Sequence, residues 1–535
     1  MMVLADDLGW HNVGWRNPEI SSPTLDSLKR SGIELLRLYA YKYCSPSRSS
    51  LLSGRLPVHV NQNNEANLVA SRSGADIRMT LLPERLRRRG YRTAMVGKWH
   101  LGARSPANLP INRGFQQHLG FLKGGEDHQT QRLGDADGWR GPDLWTAHRP
   151  AHGLNGTYSA FLYTHEAVRI VREHASSYGP SSPLFLYLAF QETHSPYEAP
   201  DVYANLSVPS ERRTFNAMVS VMDEGVRNLT DALRETRMLD DTLLLFAADN
   251  GGVYHDGQKG NNFPLRGQKT SSFEGGVRVA AFLWGGDNVL PAQLRGTQNR
   301  AFFHFADFYA TLLRRAGIRD PSDAATGVPP IDSIDQWKVI LTLNATEKDS
   351  VRSELPLAYC PRTNGGGTRG VDNCCPTAED GGWVPSPAAA QPSTWLNGAL
   401  IRRVPGRGWY KLVWGEQHGF GVRAGPYSPN SSTVWPDDVG CPRGCLFEIL
   451  TDETESVDLR EAESDIFNQL VQRQGEIGLS VFQTNHSDVD DDADCLSIPD
   501  MDNLYRGFLG PRCGVARPFN VSAVQSKTDY TAPQL

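Results

Sequence analysis

The chain contains no apolar run of about 18 residues, the length a membrane-spanning helix needs, so no transmembrane helix is expected. It has no basic excess. Lys+Arg 54 against Asp+Glu 60 gives a formal net charge of -6, which argues against a nucleic-acid partner. A local pocket for a small anion is not excluded, and Arg85 to Arg89 form one basic cluster. There is no internal repeat and no signal-peptide pattern; Met1-Met2-Val3-Leu4-Ala5 runs straight into Asp6-Asp7 and reads as the end of a buried strand, leaving room for a preceding segment. Cysteine is nearly absent from the first two thirds, where Cys44 stands alone; Cys360, Cys374, Cys375, Cys441, Cys445, Cys495 and Cys513 follow late. That late cluster predicts disulfides in a C-terminal region, with one cysteine left over if Cys44 is set aside. Zinc is the weaker reading, because Cys441 and Cys445 lack a second clean pair or a His pair at finger spacing. The acidic run 488–494 fails as a calcium loop, since Ala493 stands where the loop needs Gly and Pro499 where it needs Glu. A solvated surface loop accounts for it.

What is present fits a soluble globular protein. Apolar residues make up 39% and charged residues 21% of the chain, enough to bury a large core. Thr80 to Arg89 predicts a helix, with Thr80 as cap, Pro83 in the first turn and Gly90 as stop. Tyr91 to Val96, Leu184 to Phe190 and Thr242 to Ala248 are short apolar runs of strand length. Phe215 to Thr236 has helical periodicity through Met218, Val221, Met222, Val226, Leu229 and Leu233. Strands alternating with helices predict an α/β fold, a large mostly parallel sheet with helices on both faces. From about residue 320 the composition changes: Gly365 to Gly367 and the stretch Pro385 to Pro392 read as loop. Trp409 to Trp414 and Leu446 to Leu450 suit a smaller antiparallel sheet. The expected division is a catalytic domain over 1–325, a linker and loop-rich insertion over 326–395, and a C-terminal α+β subdomain and tail over 396–535.

Four predicted strands end in polar residues: Asp6-Asp7, then Lys98 and His100, then Gln191 to His194, then Asp249-Asn250. In open parallel sheets ligands bind beyond the carboxyl ends of strands, so these ends should converge. Asp6, Asp7 and Asp249 would repel one another without a cation, and with Asn250 they form an all-oxygen set that suits calcium or magnesium over zinc. Taken singly, each motif reads more readily as a turn or plain loop. Pro46 suits a helix start, which puts Cys44 at a helix N-terminus where free N–H groups favour anions, with Arg48 one turn on. A lone cysteine would otherwise read as a buried structural thiol or a low-pKa nucleophile.

Cys44-Ser45-Pro46-Ser47-Arg48, followed by Gly54-Arg55, resembles the sulfatase signature. Gly97-Lys98-Trp99-His100-Leu101-Gly102 resembles the family's second signature. Asn261 to Lys269 and Phe273 to Arg278 are similar to the arylsulfatase B-like branch. The likeness runs over roughly residues 3 to 320, with an echo at Leu446 to Leu459; Ser53 stands where the family commonly has Thr, and the first strand is abbreviated, which puts the sheet edge in question. The resemblance implies an alkaline-phosphatase-like fold and one Ca2+ ion held by Asp6, Asp7, Asp249, Asn250 and a Cys44 that a formylglycine-generating enzyme has oxidised to formylglycine. It implies that one hydroxyl of the aldehyde hydrate attacks sulfur, and that His100 removes the other proton to restore the aldehyde. Arg48 and His100 would hold and deprotonate the hydrate, while Lys98, His194 and Lys269 would grip the sulfate and assist the leaving group. The implied substrate is an aryl sulfate or a sulfated glycan such as an N-acetylgalactosamine 4-sulfate unit. A phosphate or phosphonate ester hydrolase on the same scaffold, and an inactive sulfated-glycan-binding protein, remain the competing readings. His59, Glu126, Asp127 and His128 could line the substrate side but read more readily as structural. Seven Asn-x-Ser/Thr sequons, at Asn155, Asn205, Asn228, Asn344, Asn430, Asn485 and Asn520, exceed the about 3 or 4 expected by chance and point to a glycoprotein of the secretory pathway, lysosomal or extracellular.

Overall fold

The computed structural model describes residues 1–62, 74–134, 140–203, 210–254, 259–323, 327–361, 395–415, 417, 425–426, 440–482, 503–513 and 515. The glycine run 365–367, the stretch 385–392, the acidic run 488–494, Cys374, Cys375, Cys495 and the sequons at Asn205, Asn430, Asn485 and Asn520 lie outside them.

The strands of the main sheet are β1 (Met2–Ala5), β2 (Ile33–Leu35), β3 (Arg92–Gly97), β4 (Gln117–Phe121), β5 (Leu144–Thr146), β6 (Arg149–Pro150), β7 (Leu184–Ala189), β8 (Leu243–Ala248), β9 (Ala281–Gly285) and β10 (Thr297–Asn299). They form one ten-stranded sheet in the order β10-β2-β9-β8-β1-β7-β3-β4-β5-β6. The central five, β8-β1-β7-β3-β4, are parallel; β9 on one side and β5 on the other run antiparallel, so the sheet is mixed. The abbreviated first strand does not form an edge. β1 lies at the centre, with Val3 opposite Leu188 of β7 and Phe246 of β8, and all four of its residues buried. Strands buried on both faces explain why these segments read as continuous apolar runs.

Two long helices cover one region of the sheet: α4 (Ser159–Tyr178) and α5 (Ser210–Glu235), after α1 (Pro23–Arg30), α2 (Cys44–Ser53) and α3 (Leu82–Arg88). In α5, Met218, Met222, Val226, Leu229 and Leu233 recur at three- and four-residue steps and are all buried. α3 starts later than Thr80 suggests. Leu81 is its cap position, with its N–H bonded to the Glu84 carboxylate at 3.2 Å, while the Thr80 N–H donates to Asp323. Pro83 and Gly90 take their expected places in the first turn and beyond the end. α6 (Asp307–Arg315) packs beside α2 and α3.

A second sheet of four antiparallel strands follows: β11 (Glu354–Pro361), β12 (Trp395–Val404), β13 (Gly408–Gly415) and β14 (Cys441–Glu448). β11 falls inside the stretch read from sequence as linker. Alternation along the strands serves two cores. Leu400, Leu412 and Leu446 pack with Ile466 and Leu470 of α7 (Ser464–Gly478). Ala399, Ile401, Val413 and Phe447 face Tyr39, Phe273 and Val277 of the larger unit. Cys441 and Cys445 form a disulfide, Cys513 is also disulfide-bonded, and Cys44 is a buried free thiol.

Candidate active site

α2 shows none of the amphipathic spacing of the other helices, because all ten of its residues are buried. Its serines serve the backbone. Ser47 Oγ accepts the Tyr41 N–H at 2.9 Å and donates to the Tyr43 carbonyl at 2.8 Å, which ties the turn before Cys44 to the first helical turn. The helix stops at Gly54, whose φ of 72° and proximity to the Tyr309 ring leave no room for a side chain.

Because β1, β3, β7 and β8 are parallel, their carboxyl ends open on one edge, and Cys44 is delivered to that edge. Cys44 Sγ lies 3.4 Å from Asp6 Oδ1 and 4.0 Å from Asp7 Oδ1. Ligand atoms of Asp6, Asp7, Cys44 and Asp249 all lie within 4.8 Å of one another and are buried. Three cations interleave with the carboxylates: Lys98 Nζ is 2.5 Å from Asp6, Lys269 Nζ is 2.8 Å from Asp7, and Arg48 Nη2 is 2.8 Å from Asp249. Arg48 Nη1 donates to the Lys98 carbonyl at 3.1 Å, linking α2 to the end of β3. Asn250 donates through Nδ2 to Asp7 at 2.7 Å, while its Oδ1 is buried without a hydrogen-bond partner. His194 Nε2 stands 3.8 Å from Asp7, and its Nδ1 faces its neighbour Ser195 O at 2.6 Å, which fixes the ring. His100 is buried with both ring nitrogens unpartnered. Asp7 and His100 both hold left-handed φ, 57° and 51°, a conformation that turns each side chain back over the strand ends.

Electrostatics follow from this crowding. Burial pushes the Asp7 carboxyl up, but Lys269, His194 and Lys98 hold it at about 2. Burial and the Asp6 charge raise Asp249 above its usual range despite Arg48. Burial and the Asp249 and Asp6 charges push the Cys44 thiol up, so it is no thiolate nucleophile as it stands. Burial first, then the Lys98 and Arg48 charges, hold His100 well below the ordinary imidazole range, and burial brings His194 to about 3. The two histidines are therefore neutral. Burial pulls the Lys269 ammonium down, but Asp7 and Cys44 outweigh it and carry it well above its normal value.

Three carboxylates and three cations balance, leaving no surplus charge for an anion. A divalent ion would supply it, and the residues fit one. Asn250 Oδ1 is an orphaned oxygen beside three carboxylates, and oxygen donors of this kind suit a hard cation.

Of the uncertain residues, His59 lies elsewhere, bonded to Asp332 at 2.9 Å and Ser480 at 3.0 Å. Glu126 is buried against the Tyr163 hydroxyl, His128 bonds Ser159 at 2.8 Å, and Asp127 accepts from Thr130 in its own turn. This segment backs His194: a side chain at Gly125 would meet its ring at 3.1 Å. Sequence reasoning missed Asn262, which accepts the Gly252 N–H at 2.9 Å and donates to the Gly252 and Gly267 carbonyls, fastening the loop that carries Lys269 to the turn after Asn250. That bond pattern is not visible in a motif, because it depends on backbone proximity.

The mixed ten-stranded sheet, with the polar cluster at the carboxyl edge of its central strands, is an alkaline-phosphatase-like fold. The sulfatase family profile matches residues 1–318. Mouse (Mus musculus) arylsulfatase J is 30% identical over 481 residues, covering 88% of this chain and 74% of its own. Pig (Sus scrofa) N-acetylgalactosamine-6-sulfatase is 28% identical over 372 residues, covering 65% of this chain and 67% of its own. Among solved structures, Ps i-CgsB in complex with k-i-k-neocarrahexaose superposes with a TM-score of 0.67 at 23% identity, covering 91% of this chain and 94% of that one. The chain belongs to the sulfatase family and is an enzyme of sulfate ester hydrolysis. No described helix is long and apolar enough to cross a membrane.

Proposed function

We propose that this chain removes sulfate from a sulfated glycan, of the N-acetylgalactosamine sulfate kind, or from an aryl sulfate, using Cys44 in its formylglycine form and one calcium ion. The observation that carries the reading is the gathering of Asp6, Asp7, Cys44 and Asp249 ligand atoms within 4.8 Å, with Asn250 Oδ1 left unbonded beside them. Asp6, Asp7, Asp249, Asn250 and the modified residue 44 would hold the ion, which supplies Lewis-acid polarisation of a sulfate oxygen and of the nucleophile. The formylglycine hydrate supplies the attacking oxygen, and a raised thiol pKa at Cys44 is consistent with the unmodified residue being inert.

The other residues divide the remaining work. Lys98, Lys269 and Arg48 are anchored on carboxylates, so their charges are fixed before substrate arrives and need no reorganisation. His100, neutral and unpartnered, is ready to accept a proton from the hydrate. His194 has its Nδ1 committed to Ser195 O, so Nε2 faces the centre; an incoming sulfate anion would raise its basicity, and the proton it then holds can pass to the leaving oxygen. Three further readings rest on the same basis: a catalytic domain over 1–325 followed by the 326–395 stretch and a C-terminal subdomain over 396–535, maturation by a formylglycine-generating enzyme, and passage through the secretory pathway to a lysosomal or extracellular site. Asn155 and Asn344 are exposed, as glycan acceptors must be.

The test is a release screen over defined sulfated sugars, a chromogenic aryl sulfate and the matched phosphate esters, with and without calcium, together with mass analysis of the Cys44 peptide. Sulfate release in calcium and an aldehyde at residue 44 are expected. Faster phosphate release would favour the phosphate or phosphonate reading, and a persistent thiol in a chain that binds but does not hydrolyse would favour the binding reading.

A further inference from the structure

The end of the main sheet opposite the candidate active site carries a dense, unneutralised positive surface. Arg87 and Arg88 close α3, Arg89 follows it, and Arg314 and Arg315 close α6, with Arg319 just beyond; all six are exposed. The two helix ends meet. The Arg89 guanidinium lies against Gly317, 3.4 Å from where a side chain would begin; burial raises the Tyr91 hydroxyl, and the charges of Arg315 and Arg89 offset part of that rise. Glu84 pairs with Arg113, Asp323 with Arg55, and Asp320 accepts from Ser322 in its own turn, while the six arginines enter no ion pair among the described residues. Charge of this density is self-repelling and stands out in a chain whose net charge is -6. Cations in the last turn of a helix are favoured by its dipole, but that effect is confined to the last turn and does not account for Arg89 or Arg319.

A cleft of about 270 Å³ lies at the start of β3 on its α4 side, lined by Arg92, Gln116, Gln117, Glu173, His174 and Tyr178. Arg92 lies 4.0 Å over the Tyr178 ring, and Gln117 Oε1 is buried there without a hydrogen-bond partner. Amide and guanidinium groups around a small cleft suit sugar hydroxyls. Every cation of the patch is Arg, none Lys, and the planar guanidinium fork matches the oxygens of a sulfate group in pairs. β3 spans six residues, so the patch stands about 20 Å from Lys98 across the sheet. One substrate sulfate cannot occupy both places.

We propose that this pole is a second binding site for a sulfated polysaccharide chain, with Arg87, Arg88, Arg89 and Arg315 holding its sulfates and the cleft at the start of β3 a sugar ring. It goes beyond the hydrolytic reading and rests on it only for the choice of polyanion. Such a site would keep a long chain on the enzyme between cleavage events.

The test measures binding of the full chain to immobilised chondroitin sulfate by salt elution and by titration. The wild type and Cys44→Ala should bind alike. Arg87→Ser/Arg88→Ser/Arg89→Ser with Arg315→Ser should bind at least about tenfold more weakly and elute at lower salt, as expected for exposed charges. On the wild type, polysaccharide should protect Arg88 and Arg89 from phenylglyoxal, a readout that needs no variant. Binding unchanged in the quadruple variant, loss of binding in Cys44→Ala, or tighter retention on phosphatidylserine vesicles than on the polysaccharide would each overturn the proposal. Failure of every sulfate-release assay would sink the hydrolytic reading and leave this binding result to stand or fall alone.

Discussion

His100 pays for its position with two unsatisfied ring nitrogens in a buried site, a cost of about 1–3 kcal/mol for a group left unbonded. If it is the base for the hydrate, His100→Ala lowers kcat by roughly 10²–10⁴-fold and leaves the thermal midpoint unchanged or higher. A fall in the midpoint with kcat preserved would assign it to packing instead. Asn250 makes a parallel case. Its Nδ2 is bonded and its Oδ1 is not, so Asn250→Ala removes one oxygen donor without opening a charge imbalance. The calcium concentration needed for half-maximal sulfate release should rise in that variant while kcat at saturating calcium changes little; an unaltered calcium titration would remove Asn250 from the ion's shell. These residues were legible because polar side chains at the ends of apolar runs demand a reason. Ser47 and Asn262 were not, since their bonds go to backbone groups whose position a sequence does not give.

Between the two sheets, the segment Phe273 to Arg278 does its work as an element. The short helix Glu274–Val277 lies directly behind the turn after Asn250: the Gly251 N–H donates to the Gly276 carbonyl at 3.0 Å, and a side chain at Gly251 would collide with the Gly275 carbonyl. Glu274 is bonded in turn by Lys411 of β13 at 2.8 Å and by the Tyr39 hydroxyl at 2.9 Å, and Lys411 also reaches Glu455 at 3.0 Å. All three charged groups are fully buried. Lys411→Met therefore leaves two carboxylates without their shared cation and should destabilise the fold by roughly 3–5 kcal/mol, read as a lower thermal midpoint. The same cluster sets a pH dependence. Burial, with Glu274 beside it, raises Glu455 to about 7 against Lys411, so between about 4.5 and about 7 the folded chain holds a proton that the unfolded chain has lost. Stability contributed by that proton is present below this window and is lost as pH rises through it. The midpoint should fall across the window in the wild type and fall less in Glu455→Gln; an equal fall in both would place the titration elsewhere. The motif was visible in the sequence, but its role was not, because Lys411 lies more than a hundred residues away and on the other sheet.

At the scale of the whole molecule, the layered α/β plan was readable from strand-length apolar runs alternating with amphipathic helices, whereas the antiparallel course of β5 and β9 was not, since so few residues carry no signal of strand direction. The placement of β1 was also opaque: four residues at the chain's start say nothing about lying between β7 and β8. That central position has a consequence for how the ion acts. Asp6 and Asp7 follow β1, Asp249 and Asn250 follow its neighbour β8, and Lys98, Lys269 and Arg48 already neutralise the three carboxylates, so the fold does not need a metal to hold this edge together. Calcium should add stability to a folded chain rather than create the fold. At a free concentration a hundredfold above its dissociation constant the gain is about 2.7 kcal/mol, a rise of a few degrees in thermal midpoint. Chelation should abolish sulfate release while the far-ultraviolet circular dichroism stays as it was, and Asp249→Asn should lose most of the calcium-dependent rise. Collapse of the dichroism on chelation would mean that the lysines and Arg48 do not balance the carboxylates in solution as they do in this structure, and that the ion is a structural keystone of the sheet's central edge.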